Sequence, residues 1–257
     1  MKKLLAIFLA LMMVASMSVN VFAAPNSFTK SPSKNMAPIF VDFSPKDEDC
    51  TSALVITGFA ESEEAFTATA QAIHDDLLHY HQLFDIYNDH EGVNNLKTIN
   101  DNAGISPVQV DPAVIDLLTD CRHYYEATGG KVNVAMGSVL YEWHLTRNEG
   151  INDPANARLP DREDLEEAAK HCSFDTIVID EAASTVFITD PLQRLDVGAI
   201  AKGWSVERVA EKAPAGLLIS VGGNIRGTGA QPDGTRWVVG VQDPDGGDQY
   251  LHTLYLT

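Results

Sequence analysis

Apolar residues recur at alternating intervals of four and three through Phe66, Ala70, Ile73, Leu77, Tyr80 and Phe84. That spacing lays one stripe along a helix, predicted over Glu61 to Phe84. Ser62 stands where a hydroxyl can cap the first N–H groups, and Glu63 and Glu64 suit the positive end of the dipole. Before it, Ala53 to Phe59 reads as a first strand. After it come Tyr87 in a polar loop and a turn-rich stretch holding Asn94, Asn95, Asn100, Asp101 and Asn102. Asp111-Pro112 opens a second helix whose apolar face is Val114, Leu117, Leu118, Cys121 and Tyr125. Thr128-Gly129-Gly130 stops it.

Farther along, Met136 and Trp143 read as core positions, Asn148 to Pro160 as loop and Asp161 to Cys172 as a short acidic helix. Phe174 to Asp180 and Thr185 to Asp190 flank Glu181-Ala182-Ala183-Ser184 as a hairpin. Leu217 to Val221, Trp237 to Val241 and Tyr250 to Leu256 read as strands. The run Gly222 to Gly229 lacks the third glycine of a dinucleotide fingerprint and is followed by Pro232-Asp233-Gly234, not by a helix. Strands and helices are interspersed without a steady βαβ rhythm, which predicts an α+β fold with mixed or antiparallel sheets.

The stretch Arg194 to Trp204 holds the chain's sharpest local conflict. An apolar approach ends at Asp196, Gly198 follows, and a helical pattern runs to about Ala213. A strand turning tightly into a helix leaves free N–H groups that attract an anion. Lys202 sits in that first turn, against the dipole, and a broken local rule of this kind points to a function.

Composition narrows the partners. A net charge of −18 argues against nucleic acid or an anionic membrane surface as the main partner. Lys2 and Lys3, the apolar run Leu4 to Val14, and Val21-Phe22-Ala23 make Met1 to Ala24 read as a secretory signal. Residues 25–49 read as a tether and loose lead-in, rich in Pro, Ser and Lys and then in acids. Cys50, Cys121 and Cys172 form no CxxC, so neither a zinc site nor a redox motif is indicated, and both a disulfide and buried free thiols fit their spacing. His74, His79 and His81 ride the first helix without partner ligands at matching spacing and read as solvated or edge residues.

Three stretches together resemble the ApbE-type flavin transferases, the FAD:protein FMN transferases. They are Thr128-Gly129-Gly130 with Asn133 and Gly137, then Leu195 to Trp204, then Ile219 to Arg226, in that order. Phe84-Asp85-Ile86-Tyr87 before an Asn-rich loop fits as well, and the likeness covers about Ala53 to Leu256. It implies an ApbE-like domain over residues 50–257 and an exported, extracytoplasmic enzyme of the cell envelope. Such an enzyme would use FAD as substrate with Mg²⁺, attach FMN to a Thr or Ser of an acceptor protein such as a membrane redox subunit, and release AMP. Carried over, Tyr87 would pack on the flavin, Lys131, Val132 and Asn133 would line the FAD cleft, Asp196 and Lys202 would contact FAD, and the Ala199 carbonyl would ligate Mg²⁺.

The chemistry is consistent with those residue types, since pyrophosphate cleavage needs positioning, charge neutralisation and a hard metal ion with oxygen ligands. The family differs in two places within the likeness: Cys50-Thr51-Ser52 stand where Phe-Asp-Thr is frequent, and Asn133 where an acid is common. It also continues past the point matching Leu256, with a His-Ile-x-Asp-Pro-like motif, a catalytic His and further metal ligands that nothing in these 257 residues matches. The expectation is therefore of a shortened copy with an unpaired sheet edge. The alternatives are an FAD pyrophosphatase releasing FMN and AMP, or a flavin-binding protein without catalysis.

Overall fold

The computed structural model describes residues 54–246 and 250–257 and the backbone of 37–43. The predicted signal, Cys50 and most of the lead-in segment lie outside the described residues. In chain order the strands are β1 (Ala37–Phe43), β2 (Leu54–Ala60), β3 (Val108–Gln109), β4 (Ile177–Asp180), β5 (Thr185–Ile188), β6 (Leu217–Val221), β7 (Asn224–Gly227), β8 (Trp237–Gln242) and β9 (Tyr250–Leu256). The helices are α1 (Glu63–Phe84), α2 (Leu96–Asp101), α3 (Pro112–Ala127), α4 (Gly137–Asn152), α5 (Arg162–Ala168) and α6 (Ala201–Lys212). All strand pairs are antiparallel among the described residues, in keeping with the expected α+β class. The described residues divide into two units, one spanning His79–Ala201 and one assembled from those before His79 and after Ala201.

In the second of these, the sheet order is β1-β2-β6-β7. β1 lies inside the stretch read as a loose lead-in; its backbone pairs with β2 from Ala37↔Ala60 to Phe43↔Leu54. β6 is buried along most of its length, as its apolar run requires. The glycines after it form a hairpin turn: Val221 pairs with Asn224, and Gly222 and Gly223 both take positive φ, at 51° and 87°. A two-residue turn with that handedness matches strand twist, and glycine adopts it without strain. β8 and β9 pair separately, and Trp237 and Val239 pack with Leu218, Phe59, Ile225 and Leu256. The α1 stripe is buried as its spacing predicts at Phe66, Ala70 and Ile73, and Ser62 Oγ accepts the Ala65 N–H at 3.2 Å.

The His79–Ala201 unit carries the sheet β3-β5-β4 and helices α2 to α5. The Ile177–Asp180 and Thr185–Ile188 hairpin stands as expected, although Phe174–Thr176 is a 3-10 turn and not strand. α3 is capped by Asp111, whose Oδ1 accepts the Ala113 N–H at 2.9 Å, and its buried face is Val114, Ile115, Leu117, Leu118 and Cys121. It ends at Thr128, where Gly129 and Gly130 take φ of 61° and 81° and the Gly130 N–H closes on the Tyr125 carbonyl at 2.7 Å. Those glycines supply the left-handed conformation of a helix stop.

Four expectations need correction here. The Asn-rich stretch contains a helix, α2, because Asn95 and Thr98 satisfy each other's backbone in a capping box. The loop read from Asn148 starts five residues later, at Asp153. α4 runs through Asn148-Glu149-Gly150-Ile151 to Asn152, and Pro154 then disfavours the helical conformation at Asp153. Met136 is exposed and Trp143 only half-buried, so neither is a core anchor. No strand precedes Asp196: residues 193–197 are irregular and α6 begins at Ala201.

Candidate functional site

The segment before Asp196 obtains from side chains what a strand would obtain from a neighbouring strand. Asn100 is buried, and its amide brackets Leu195, with Oδ1 accepting the Leu195 N–H at 2.7 Å and Nδ2 donating to the Leu195 carbonyl at 3.1 Å. Ser138 Oγ donates to the Leu192 carbonyl at 2.7 Å and accepts the Arg194 N–H at 3.1 Å. The buried Gln193 side chain donates to the Ser173 carbonyl at 3.0 Å and accepts from the Thr176 hydroxyl. The Asp196 N–H donates to the Val134 carbonyl at 2.9 Å. Buried backbone polar groups must be paired, and here five successive residues, Leu192 to Asp196, are pinned by groups far apart in sequence, Gln193 through its side chain and the others through their backbone.

Gly137 lets this happen. A Cβ there would lie 2.5 Å from the Arg194 carbonyl oxygen and 2.8 Å from the Leu195 carbonyl carbon. Both are backbone atoms, which cannot swing aside. The first turn of α4 therefore lies directly against the segment that presents Asp196.

The Asp196 carboxylate is held on both sides. Oδ1 accepts the Gly198 N–H at 2.8 Å, and Oδ2 lies 3.4 Å from His144 Nε2, with only 11% of the side chain exposed. Burial opposes its charge, but the His144 and Gly198 hydrogen bonds outweigh burial and hold the carboxyl below its ordinary value. The same His144 nitrogen is 3.0 Å from the Tyr87 hydroxyl, and the two rings meet edge to face at 5.7 Å. An ionised carboxylate can only accept, so the Asp196 contact is a hydrogen bond in the tautomer that carries its proton on Nε2, where the Tyr87 oxygen meets the same N–H. Tyr87 is 56% exposed, and its N–H donates to Asp85 Oδ1 at 2.7 Å. Desolvation and then the negative charge of Asp196 push the Tyr87 phenol up. The result is a fixed line, Tyr87–His144–Asp196, offering an exposed aromatic ring beside a dependable negative acceptor.

Of the residues singled out in sequence, Tyr87 and Asp196 are thus joined, through a histidine that no pattern marked. The other candidates stand differently. The Asn133 side chain is consumed locally, since Oδ1 accepts the Ala135 N–H and Nδ2 donates to the Cys172 carbonyl, both at 2.9 Å. Val132 is half-buried and donates its N–H to Thr128 Oγ1 at 3.0 Å. Lys131 is exposed in the bend that follows the glycines. Ala199 is exposed in the turn between Val197 and Ala201, where the Ile200 and Ala201 N–H groups both reach the Val197 carbonyl at 2.9 Å. Lys202 is exposed in the first turn of α6, as its helical pattern predicts. Cys121 and Cys172 are free thiols, the first buried and the second half-buried.

A carbonyl such as that of Ala199 is a hard oxygen that suits Mg²⁺, an ion that keeps several waters and takes the rest of its shell from carboxylates and substrate phosphates. Alone it is one ligand of six. Among the described residues, the only group of three or more His, Cys, Asp or Glu side chains placed to hold an ion is His81, Asp85 and His90. In sequence His81 reads as a solvated or edge residue and His90 carries no motif, because their convergence on Asp85 depends on the loop folding back over the end of α1.

Comparison with known proteins adds a second line of evidence. The family model "ApbE family" matches residues 50–257. The FAD:protein FMN transferase of Treponema pallidum is 30% identical over 171 residues, covering 60% of this chain and 45% of that protein. The FAD:protein FMN transferase of Klebsiella pneumoniae is 29% identical over 185 residues, covering 66% of this chain and 53% of that protein. Among solved structures, the ApbE protein of Thermotoga maritima aligns with a TM-score of 0.70 at 26% identity, over 86% of this chain and 68% of that one. The flavin transferase ApbE of Vibrio cholerae aligns at 0.65 with 18% identity, over 86% of this chain and 67% of that one, a likeness of fold. The chain spans about half the length of the two transferases it matches in sequence.

Proposed function

The chain belongs to the ApbE family, and on that premise we propose that it is an exported flavin transferase that takes FAD as its substrate. The reaction would break the phosphoanhydride bond of FAD. A Thr or Ser hydroxyl of an acceptor protein attacks the FMN phosphorus, a phosphoester forms, the hydroxyl loses its proton, and AMP leaves. The observation that carries this reading is the Tyr87–His144–Asp196 line, pinned by Asn100 and Gly137 within a family-matched chain.

An exposed phenol ring suits one face of a flat isoalloxazine. An ionised, fixed carboxylate accepts from ring N–H or ribose hydroxyl groups, and its geometry is set before the ligand arrives. Mg²⁺, held by the Ala199 carbonyl together with waters and phosphate oxygens, would neutralise charge on the pyrophosphate. The resemblance implies in addition that Lys202 would contact FAD. The acceptor, read as a membrane redox subunit, supplies the nucleophile. Export rests on the charged and apolar pattern of Met1 to Ala24, and no helix among the described residues is long and apolar enough to cross a membrane.

The test is to incubate the full-length protein with FAD, Mg²⁺ and a Thr-bearing acceptor protein, and to follow the acceptor by mass spectrometry and AMP by chromatography. An FMN phosphoester on the acceptor with equimolar AMP is expected. AMP and free FMN without an adduct would replace the transferase by a pyrophosphatase. FAD binding without AMP would leave a flavin-binding protein.

A further inference from the structure

We propose that His81, Asp85 and His90 form a binding site for a borderline divalent transition ion, with Zn²⁺ the best match, separate from the magnesium chemistry considered above. One ligand atom from each side chain lies within 4.8 Å of the others. His81 lies in the last turn of α1, and Asp85 is the first residue past its end, four positions on. The loop after the helix returns His90 to the same place, so that His90 Nε2 is 3.0 Å from Asp85 Oδ2 and the His81 and His90 rings meet at 6.0 Å, nearly perpendicular.

The carboxylate is already committed to this geometry. Asp85 is buried, and its Oδ1 accepts the Tyr87 and Asn88 N–H groups at 2.7 and 3.1 Å, which leaves Oδ2 toward His90 and the Asn88 amide. His81 is exposed, and ligand atoms all within 4.8 Å of one another need only a small inward adjustment to reach the roughly 3.3 Å ligand spacing of a tetrahedral zinc site.

Two imidazoles and one carboxylate are the donor set of an open zinc site with water in the fourth position. Mg²⁺ is a poor match, because it prefers an all-oxygen octahedron. An ion here would take over the His90 hydrogen bond to Asp85 and brace the turn whose other carboxylate oxygen holds the Tyr87 N–H. The inference stands on these three side chains and does not depend on flavin chemistry.

The experiment is titration of the tag-free full chain with Co²⁺, which takes the ligands of Zn²⁺ and reports its coordination by visible absorbance. One Co²⁺ per chain is expected, with bands displaced by Zn²⁺ and not by excess Mg²⁺. Affinity should fall about tenfold or more in H81A and in H90A. It should be unchanged in H171A, which removes a histidine paired with Asp190 elsewhere in the same unit. H81A changes an exposed residue and keeps the Asp85 hydrogen bonds, so it reports on binding even if substitution at Asp85 prevents folding. Absence of visible bands, displacement by Mg²⁺, or an affinity that survives both H81A and H90A would overturn the proposal.

Discussion

Replacing Asn100 by Ala removes both hydrogen bonds that bracket Leu195. The Leu195 N–H and carbonyl would then be orphaned beside a buried side chain, and each unsatisfied buried group costs about 1–3 kcal/mol. The expected loss is about 2–5 kcal/mol, or roughly 5–15 °C in Tm for a chain of this size. Urea unfolding measures the total, and amide exchange at Leu195 reads the local part. Thr146→Val is the matched control: Thr146 is equally buried in the same unit, but its hydroxyl bonds only to the Glu142 and Trp143 carbonyls of its own helix. That substitution strands no backbone group and should cost about 1 kcal/mol. Asn100→Ala should also weaken FAD, since Asp196 follows the freed residue directly. A loss below about 1 kcal/mol, or unchanged exchange at Leu195, would refute the view that side chains take the place of a strand here.

Asp196→Ala should weaken FAD binding by about 1.5–3 kcal/mol, the worth of a hydrogen bond to a charged group, measured by flavin fluorescence quenching. Because the folded Asp196 carboxyl is held below its ordinary value near pH 4, its contribution to stability is complete above about pH 4 and is lost as pH falls through the lower folded value. Urea midpoints taken through that window should decline more steeply for the wild type than for Asp196→Asn. Gly137→Ala puts a methyl against the Arg194 and Leu195 backbone and should cost about 1–3 kcal/mol, despite alanine's better helix propensity; a gain in Tm would show that the contact is slack. Burial pushes the Cys121 thiol up to about 12, so a thiol reagent at neutral pH should modify it only after unfolding, and rapid labelling of the native protein would contradict its buried state.

Much of the frame was legible in residue order because it depends on near neighbours. The stripe from Phe66 to Phe84 identifies α1, since helix sides repeat every three to four residues, and Asp111-Pro112 and Thr128-Gly129-Gly130 bound α3 by local capping. The β4–β5 hairpin follows from two short apolar runs around a polar turn. The motifs that carried the family resemblance also lie in single stretches, and Asp196 and Tyr87 were named from them.

What the sequence could not decide was which distant groups meet. The apolar residues before Asp196 read as a strand, but their backbone partners are Asn100, Ser138 and Val134, and nothing local encodes those pairings. His144 sits in a helix with no motif of its own, and becomes part of the site only because the folded chain places it within hydrogen-bond reach of Tyr87 and Asp196. His81 and His90 are nine positions apart on a helix end and a loop, and only the return of that loop onto the buried Asp85 brings them together. Periodicity and capping act over one or two turns of chain, so sequence alone determined the helices, the hairpin and the candidate residues. Hydrogen bonds and packing act across space regardless of separation along the chain, so the site itself was decided by tertiary structure.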